Sequence, residues 1–340
     1  MTRQPQPLPA DHPPLLSGRI GVLLVNLGTP EAAEPGAVKR YLAEFLSDPR
    51  VIEIPKLIWQ PILRGIILNT RPEKSAHAYS QVWTADGSPL AAITRAQAGG
   101  LQVRLGDVAV IDWAMRYGSP SIPEKLEALM GAGCDRILVA PLYPQYCAAT
   151  TATAVDKAGD WLRERRWQPS LRTLPPYYDD PLHIDALAAD LGAQLDKLPF
   201  APEVLVLSFH GMPQRTLERG DPYHCHCRKT ARLLEDRMAG RGLRFVTSFQ
   251  SRFGRAKWLE PATDRVLVEE AKKGTRRLAI AAPGFAADCL ETREELAIRG
   301  REQFLAAGGE HFAALDCLNT SGPGMDMLEA LIRRELSGWI

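Results

Sequence analysis

His210 is the residue whose type and position first suggest chemistry. It follows the apolar run at 204–209 and precedes Gly211, Met212 and Pro213. A neutral imidazole can accept a proton near pH 7 or bind a borderline metal ion. A histidine at the end of a strand is also often a hydrogen-bonded structural residue. Its position alone therefore leaves both interpretations open.

An acidic segment at 288–296, DCLETREEL, is the second candidate. Glu291 and Glu295 are four residues apart, which places them on one face of a helix, and Asp288 occupies the expected N-cap. Three acids along one ridge could relay cations or protons inward. The helix dipole also favours acids in a first turn that faces water. The interpretation of these acids as a solvent-exposed first turn is therefore preferred unless His210 faces this ridge.

A third cluster, HCHC at 224–227, has the residue types of a metal site without its usual arrangement. Asp221 and Pro222 are typical of N-cap and N1 positions, so the cluster falls on the first turn of a helix. Adjacent and alternate residues of a helix point in different directions, and the two separated pairs of a common zinc site are missing. The pattern favours a structural or incidental role.

These residues must be positioned by an alternation of apolar and amphipathic segments. Strands are predicted at 20–26, 108–116, 136–141, 171–174, 204–209, 244–250, 277–283 and 312–318. Helices are predicted at 89–105, 120–131, 150–165, 181–195, 222–239, 262–273, 289–307 and 324–336. Such alternation is typical of parallel sheets with helices on both faces. The strands divide four and four near residue 180, which predicts two similar doubly wound domains.

The loops that follow the predicted strands are rich in glycine, proline and aromatic residues. Ligands of open parallel sheets bind outside the carboxyl ends of the strands, so two facing sheets would form a cleft. The sequence has no G-x-G-x-x-G or P-loop motif, which argues against a nucleotide. The loops instead offer Leu27, Tyr117, Tyr143, Tyr146, Phe253, Trp258 and Phe285. This lining suits a large flat apolar ligand, although each side chain could equally belong to the core.

Composition is that of a soluble globular protein, with 45% hydrophobic and 24% charged residues among 340. The formal net charge of +1 provides no overall field that would recruit nucleic acid. Residues 1–18 contain five prolines and no apolar run, which predicts a disordered tail rather than a secretory signal. Because the chain has no run of about 20 apolar residues and only six cysteines, it is expected in the reducing cytoplasm.

Segment 51–69, VIEIPKLIWQPILRGIILN, is apolar on nearly all sides and broken by two prolines. It is too interrupted to span a bilayer. It could form a lip over the cleft, a surface patch that rests on lipid, or a pair of buried helices. Lys56, Trp59 and Arg64 suit an interface and favour the lip, with peripheral membrane contact as a consequence.

Several motifs, in order along nearly the whole chain from about Gly18, resemble those of the ferrochelatase family. They are LLVNLGTP (23–30), YLAEFLSDPRVIEIP (41–55), GSPL (87–90), MRYGSP (115–120), PLYPQY (141–146), SFHGMP (208–213), RGDPY (219–223), FQSRFG (249–254), WLEP (258–261) and DCLETREEL (288–296). The resemblance implies an α/β fold of two similar Rossmann-like, chelatase-type domains. Each would be a four-stranded parallel sheet flanked by helices, with the active-site cleft between them.

The domain boundaries follow from this architecture and from the strand pattern. Residues 19–180 and 319–340 are expected to form the N-terminal domain, which carries the lip at 51–69. Residues 181–318 are expected to form the C-terminal domain, which carries His210 and Glu291.

The resemblance also implies roles for single residues. His210 and Glu291 match the family's essential histidine and glutamate, which face each other across the centre of the porphyrin and can bind the metal. Asp288 and Glu295 match the acidic ridge behind Glu291 and would relay protons or metal. The matches to substrate-binding residues are Arg116, Tyr117 and Tyr143 on the opposite wall, and Leu27, Trp258 and Phe285 at the macrocycle.

Some members of the family carry a 2Fe–2S cluster, held by one cysteine after the PQY motif and three in a C-terminal extension. Cys147 lies near the internal position, but the last cysteine of this chain is Cys317. We therefore predict no such cluster and no required cofactor. Cys289 stands where many members have histidine, so that histidine is not required for the reaction here.

The resemblance thus implies insertion of Fe²⁺ into protoporphyrin IX to form protohaem, with release of two protons, as the last step of haem biosynthesis. The alternatives are a coproporphyrin ferrochelatase or other tetrapyrrole chelatase, and a porphyrin or haem carrier without catalysis. A carrier would need the apolar cleft but not His210 and Glu291 together. The expected partners are protoporphyrin IX, Fe²⁺ and an enzyme that donates the porphyrin, and no nucleic acid.

Overall fold

The computed structural model describes residues 18–254 and 256–340. The tail predicted at 1–18 therefore lies outside the described residues, apart from Gly18. Two separate sheets, each of four parallel strands, are flanked by helices in the described part of the chain. The predicted α/β architecture of two parallel sheets is confirmed.

The first lobe is built on one of these sheets. Its strands are β1 (Arg19–Gly28), β2 (Val110–Tyr117), β3 (Cys134–Pro141) and β4 (Ser170–Thr173), in the order β2-β1-β3-β4. At the centre of the sheet, Leu23 of β1 pairs with Asp112 of β2 and Val139 of β3. A central parallel strand is covered on both faces, which explains why β1 is apolar without alternation over most of its length.

The second lobe repeats this arrangement. Its strands are β5 (Val204–His210), β6 (Arg244–Gln250), β7 (Arg277–Ala281) and β8 (His311–Ala314), in the order β6-β5-β7-β8. The central strand β5 is buried as far as Phe209, and His210 is its only partly exposed residue. The strand that ends in the candidate histidine is thus the most enclosed strand of its sheet.

All eight predicted strands are present, with some ends displaced. β1 runs to Gly28, two residues beyond the predicted end. Gly28 has a φ of +130°, and a Cβ there would lie 2.1 Å from the Tyr117 carbonyl oxygen, so the close approach of β1 and β2 requires glycine. β7 ends at Ala281, before the predicted end at residue 283, because the Ala282 carbonyl accepts the Phe285 amide (3.1 Å) and begins a turn.

The helices of the first lobe match the predicted ones and add three more in 35–82. They are α1 (Pro35–Phe45), α2 (Lys56–Ile62), α3 (Leu68–Val82), α4 (Pro89–Leu105), α5 (Ile122–Gly131) and α6 (Thr153–Arg163). Single π-helical turns, Leu63–Ile67 and Ala148–Ala152, precede α3 and α6. Ser121 caps α5 reciprocally with Glu124, which fixes where that helix begins.

One helix of the second lobe is π-helical over most of its length. The helices of this lobe are α7 (Pro181–Asp196), α8 (Gln214–Glu218), α9 (Tyr223–Arg237), α10 (Thr263–Lys272) and α11 (Arg301–Ala306), and α12 (Gly322–Glu335) follows β8. The single helix predicted at 289–307 is π-helical over Glu291–Gly300 before it continues as α11. π-Helical geometry is rare and occurs frequently at functional sites.

One continuous apolar cluster joins the two lobes. It includes Leu24 of β1, Leu207 of β5, Leu191 of α7 and Leu331 of α12, all of them buried. α12 packs against both α7 and α4, and its Asp326 accepts a hydrogen bond from Arg104 of α4 (2.6 Å). The C-terminal helix therefore contacts helices of both lobes.

Candidate active site

His210 lies at the carboxyl end of β5. A Cβ on the next residue, Gly211, would lie 2.5 Å from the Gln250 carbonyl oxygen, so the close approach of the two backbones there requires glycine. His210 Nδ1 is 2.7 Å from the Gly211 carbonyl oxygen. Because a carbonyl only accepts, we assign the proton to Nδ1, and Nε2 of the neutral ring keeps its lone pair. The strand end thus presents one nitrogen that can accept a proton or bind a metal ion.

Glu291 is half-buried at the first position of the π-helical segment. α3 of the first lobe packs against this segment, and the preceding Leu290 packs against a cluster that contains Val38 and Tyr79. Burial raises the pKa of the Tyr41 and Tyr79 phenols, and the Glu291 carboxylate adds to the rise in both. Glu291 is carried by the second lobe but lies beside side chains of the first.

Asp288 is buried and holds the start of this helix. Its carboxylate accepts hydrogen bonds from Thr292 Oγ1 (2.7 Å), Arg293 Nη2 (2.7 Å) and Asn319 Nδ2 (2.6 Å). Asn319 adopts a left-handed φ of 47° and accepts the Asp288 amide on its own side-chain oxygen (2.8 Å). These contacts give Asp288 a positional role, and the relay predicted through it stays a prediction.

Glu295 lies against the end of β6. Its carboxylate accepts hydrogen bonds from the Ser251 amide (2.8 Å) and the Ser251 hydroxyl (2.5 Å). It borders a cavity of about 440 Å³ in the second lobe, which Trp258 and Arg299 also line. Asp288 and Glu295 therefore have separate partners, and their joint role as a relay stays a prediction.

Arg116 and Tyr117 belong to a buried polar network at the end of β2. Asp48 Oδ2 accepts hydrogen bonds from Arg116 Nη2 (2.5 Å), Thr153 Oγ1 (2.6 Å) and Tyr117 Oη (2.8 Å). The Arg116 guanidinium also lies over the Tyr117 ring, 4.3 Å from its centroid. Sequence reasoning named Arg116 and Tyr117 but missed Asp48 and Thr153. Asp48 lies inside the motif at 41–55, which is the signal that could have found it.

Two further candidates are buried in the first lobe in different ways. The Tyr143 hydroxyl is buried and has no hydrogen-bond partner among residues 18–254 and 256–340. Such a group is expected to meet a water molecule or a ligand. Leu27 is half-buried and is the penultimate residue of β1, with its amide bonded to the Asn26 side chain (3.1 Å). Tyr143 thus offers an unused donor in this lobe.

The predicted macrocycle contacts of the second lobe follow β6 and β7. Trp258 donates through Nε1 to the Phe253 carbonyl oxygen (3.0 Å), and the two rings lie 4.8 Å apart. Phe285 is half-buried and packs against Met115 and Cys289, which belong to different lobes. Apolar side chains therefore follow the strand ends of both sheets, as the sequence predicts.

The HCHC cluster lies on the first turn of α9, and its four side chains meet different surroundings. His224 stacks on Phe249 (5.6 Å between centroids), Cys225 is exposed and Cys227 is buried. His226 stacks on Tyr178 and accepts the Tyr146 amide on Nδ1 (3.2 Å). His226 thus bonds the loop after β3 in the first lobe, a role that sequence reasoning missed.

Segment 51–69 is apolar and largely exposed. Leu57 is 92% exposed, Ile58 59% and Ile66 57%, while Leu63 and Leu68 are buried. The segment therefore has one face on the first lobe and an apolar face outside. In the described residues, no helix has both the length and the apolar character needed to cross a membrane.

The segment is also connected to the second lobe. The Glu53 carboxylate forms an ion pair with Arg219 (2.5 Å), next to α8. On α3, the Arg71 guanidinium lies 5.1 Å from the centroid of the Phe253 ring. The segment predicted as the lip therefore contacts the second lobe beyond the end of β5, and α3, which begins within that segment, contacts the loop that follows β6.

Solved structures of two chelatases resemble the chain in fold. SirB from Bacillus subtilis with Fe³⁺ superimposes with a TM-score of 0.56 at 13% identity, covering 94% of this chain and 96% of that one. The sirohydrochlorin chelatase SirB from Bacillus subtilis subspecies spizizenii, in complex with cobalt, gives 0.54 at 12% identity, with 94% and 97% covered. At such low identity the similarity is one of fold alone.

Sequence comparisons reach further. The ferrochelatase family profile matches residues 19–336. The ferrochelatase of Agrobacterium fabrum is 51% identical over 337 residues, which cover 98% of both chains. The ferrochelatase of Rhizobium meliloti is 52% identical over 334 residues, which cover 97% of this chain and 98% of the relative. With half of its residues identical to such relatives over almost its whole length, the chain belongs to the ferrochelatase family, and its activity is that of a ferrochelatase, a lyase.

Proposed function

We propose that the chain inserts Fe²⁺ into protoporphyrin IX to form protohaem, with release of two protons. The observation that carries the proposal is a pair of side chains, one at the end of strand β5 and one at the start of the π-helical segment. His210 offers an unprotonated Nε2 at the end of β5, and Glu291 offers a carboxylate beside the first lobe. A base and an anionic ligand from different elements suit the two tasks of metal insertion.

The proposed reaction exchanges two inner pyrrole protons for one metal ion. His210 Nε2 accepts a pyrrole proton on one face of the macrocycle. The Glu291 carboxylate binds Fe²⁺ on the other face and takes the second proton as iron moves onto the nitrogens. Planar porphyrin hides its nitrogen lone pairs, so a site that favours a bent macrocycle is complementary to the transition state.

Rigid walls are proposed to impose this bend. In the first lobe, Arg116 and Tyr117 are fixed by the buried Asp48, and Leu27 and Tyr143 lie near the strand ends. In the second lobe, Trp258 is fixed by its bond to the Phe253 carbonyl. Phe285 precedes the Glu291 helix in sequence and packs against Met115 and Cys289. The proposed domain boundaries are those expected above, 19–180 with 319–340 and 181–318.

Segment 51–69 is proposed to be the lip through which porphyrin enters. Its outward face combines exposed Leu57, Ile58 and Ile66 with Lys56 and Arg64. Such a face suits an anionic membrane surface, from which an apolar porphyrin or a porphyrin-donating enzyme would supply the substrate. The proposed location is the cytoplasm with peripheral membrane contact, which suits six free cysteines.

The residues around Cys147 do not fit a 2Fe–2S cluster. Such a cluster needs four thiolate ligands. Cys147 is buried, and its titratable neighbours among the described residues include Asp221, Glu53, Tyr223 and only one other thiol, that of Cys227. Burial and the Asp221 carboxylate raise the pKa of the Cys147 thiol, which opposes formation of a thiolate. We propose that no such cluster is held here.

The test is anaerobic absorbance of protein mixed with porphyrin and Fe²⁺, where metal insertion reduces four Q-bands to two. We expect turnover with protoporphyrin IX, and faster turnover than with coproporphyrin III. His210→Ala should abolish insertion while porphyrin still binds, whereas His77→Ala, at an exposed histidine of α3, should behave as the wild type. Binding without turnover by the wild type would instead indicate a carrier.

A further inference from the structure

One histidine of the HCHC cluster bonds a loop of the other lobe. His226 of α9 accepts the Tyr146 amide on Nδ1 (3.2 Å). Tyr146 belongs to the loop at 142–148, here named the β3 loop, which follows β3 and also carries Tyr143. The proposed reaction gives Tyr143 a place in the wall around the porphyrin but gives His226 no role. The contact therefore joins an unexplained residue to the loop of a candidate substrate-binding residue.

Two more hydrogen bonds hold the β3 loop against the second lobe. The Asp221 carboxylate, just before α9, accepts the Ala148 amide (2.8 Å). The buried Gln145 side chain donates through Nε2 to the Thr230 hydroxyl oxygen on α9 (3.0 Å). Together with the bond to His226, these contacts join the loop to the second lobe at three points between Gln145 and Ala148.

The His226 ring is held in the orientation that its contact needs. It stacks on the Tyr178 ring, with 3.6 Å between the centroids and 8° between the planes. A nitrogen that accepts an amide proton must keep its lone pair, so the proton of the neutral ring lies on Nε2. Burial lowers the pKa of His226, although the Asp179 and Asp221 carboxylates act in the opposite direction. The ring is therefore neutral near pH 7, and Nδ1 stays available as the acceptor.

The neighbouring histidine of the cluster has different surroundings. His224 lies on the same turn of α9 and stacks on Phe249 of the second lobe, with 5.6 Å between the centroids. The bond to the β3 loop thus depends on one nitrogen of one ring. An aromatic ring without that nitrogen could keep the stack on Tyr178 but would lose the bond.

We propose that His226 is a positioning residue, which holds the β3 loop through the Tyr146 amide so that Tyr143 lies where the porphyrin binds. The inference rests on the proposed function, in which Tyr143 forms part of the wall around the macrocycle. A wall that is already in place does not have to be ordered when the substrate arrives, and such ordering would reduce the affinity. Because the bond crosses between the lobes, it also fixes the loop relative to the lobe that carries His210.

The test compares His226→Phe with His226→Asn in the full chain. Phenylalanine provides a ring for Tyr178 but no acceptor, whereas the side-chain oxygen of asparagine can take the position of Nδ1. The Kd for protoporphyrin IX is measured by quenching of protein fluorescence, and KM and kcat are measured for Zn²⁺ insertion.

Loss of one hydrogen bond in His226→Phe should raise the Kd and the KM for porphyrin by roughly three- to tenfold. The kcat should change by less than about twofold, because bound substrate and transition state lose the same contact. His226→Asn should return the Kd and the KM to within about twofold of the wild-type values, since it restores the acceptor.

His224→Phe is the matched control, because it makes the same substitution on the same turn of α9. It should bind porphyrin as the wild type does. Amide hydrogen exchange provides a second measurement that needs no porphyrin, and exchange in 142–148 should be severalfold faster in His226→Phe than in His224→Phe. If His226→Phe melts well below the wild type, His226→Leu, which also lacks an acceptor, takes its place in the comparison.

Three outcomes would overturn the inference. An unchanged Kd in His226→Phe would do so even with faster exchange in the loop, because the loop would then not position the binding wall. An equal loss of affinity in His224→Phe would show a general effect of changing this turn. An equal loss in His226→Asn would show that the acceptor is not the cause.

Failure of the proposed function would give a different result. A wild type that binds porphyrin without inserting metal would contradict the proposed reaction. The Kd values of the His226 variants would still decide whether this residue positions the β3 loop, because they are measured without turnover.

Discussion

Glu53 and Arg219 form an ion pair between the two lobes, with 2.5 Å between Oε2 and Nη1. Glu53 precedes α2, and Arg219 follows α8, the short helix that comes directly after His210 and its turn. Arg215 of α8 lies 3.8 Å from the same carboxylate oxygen. The proposed lip is therefore connected to the end of α8, the helix that follows the candidate base in sequence.

Glu53→Gln is expected to loosen segment 51–69 without unfolding the chain. A partly exposed ion pair contributes about 0–1 kcal/mol to stability, so the melting temperature should change little. Amide hydrogen exchange in 51–69 should become severalfold faster, because the link to the second lobe is lost. Glu31→Gln, which breaks an exposed pair with Arg40 in the same lobe, is the control. Equal exchange in both variants would show that the pair does not restrain the lip.

Replacing Leu57 and Ile58 by glutamate is expected to weaken binding to membranes. Both side chains are exposed in the structure, so the change costs little stability. Burial of one such side chain in lipid contributes about 1.5–3 kcal/mol, and co-sedimentation with anionic liposomes should fall by at least tenfold. Val103→Glu alters another exposed apolar residue, on α4, and should sediment as the wild type does. Unchanged sedimentation of the double variant would exclude the lip as the membrane contact.

The alternation of strands and helices was predictable because each central strand is a run of aliphatic residues bounded by a turn. The prediction at 204–209 differs from β5 by one residue, His210 itself. The order of strands within each sheet was not predictable, because β1 and β5 are apolar on both faces. Their side-chain pattern therefore contains no information about which strand lies on which side.

The π-helical geometry of Glu291–Gly300 was also beyond sequence reasoning. A π-helix differs from an α-helix in its i→i+5 hydrogen bonds and not in its residue types, and most residues of the segment are good helix formers. The argument that Glu291 and Glu295 share a face assumed α-helical spacing. In the structure Glu295 bonds Ser251, whose left-handed φ of 65° no pattern had indicated.

Long-range polar partners were missed for a related reason. Asp48 bonds Tyr117 and Thr153, which lie 69 and 105 positions away. An aspartate followed by proline is common in turns. Nothing in the neighbouring sequence distinguishes the buried Asp48 from an exposed aspartate. The candidate residues of the site were named where a motif contained them, and that assignment stays a prediction. Their polar partners became visible only in the folded chain.

Asp48→Asn is expected to destabilise the first lobe at neutral pH. Burial alone would raise the pKa of Asp48, but hydrogen bonds from Thr153, the Arg50 amide and Tyr117 outweigh it, so the pKa is lowered and the carboxylate is charged. The asparagine would direct an NH₂ group at donors and leave Arg116 without its buried anion. The free energy of unfolding in urea should fall by about 3 kcal/mol.

Asp156→Asn is the control for that change, because Asp156 forms a half-exposed pair with Arg50 (2.8 Å). Its loss should cost less than about 1 kcal/mol. Similar destabilisation in the two variants would mean that the Asp48 network contributes no more than a surface pair.

His183 of α7 should make stability depend on pH below neutrality. Burial lowers its pKa to about 4, although the Asp180 carboxylate and the Tyr177 and Tyr178 carbonyls act in the opposite direction. A histidine of the unfolded chain titrates near 6.5, so between these values the unfolded state binds more protons. The stabilising effect of the neutral ring is complete above about pH 6.5 and is lost as the pH falls to about 4, by roughly 3 kcal/mol.

In urea unfolding between pH 7.5 and 4.5, wild type should therefore lose stability relative to His183→Gln by about this amount. The exposed His77→Gln should run parallel to the wild type, and a parallel course for His183→Gln would contradict a neutral buried imidazole.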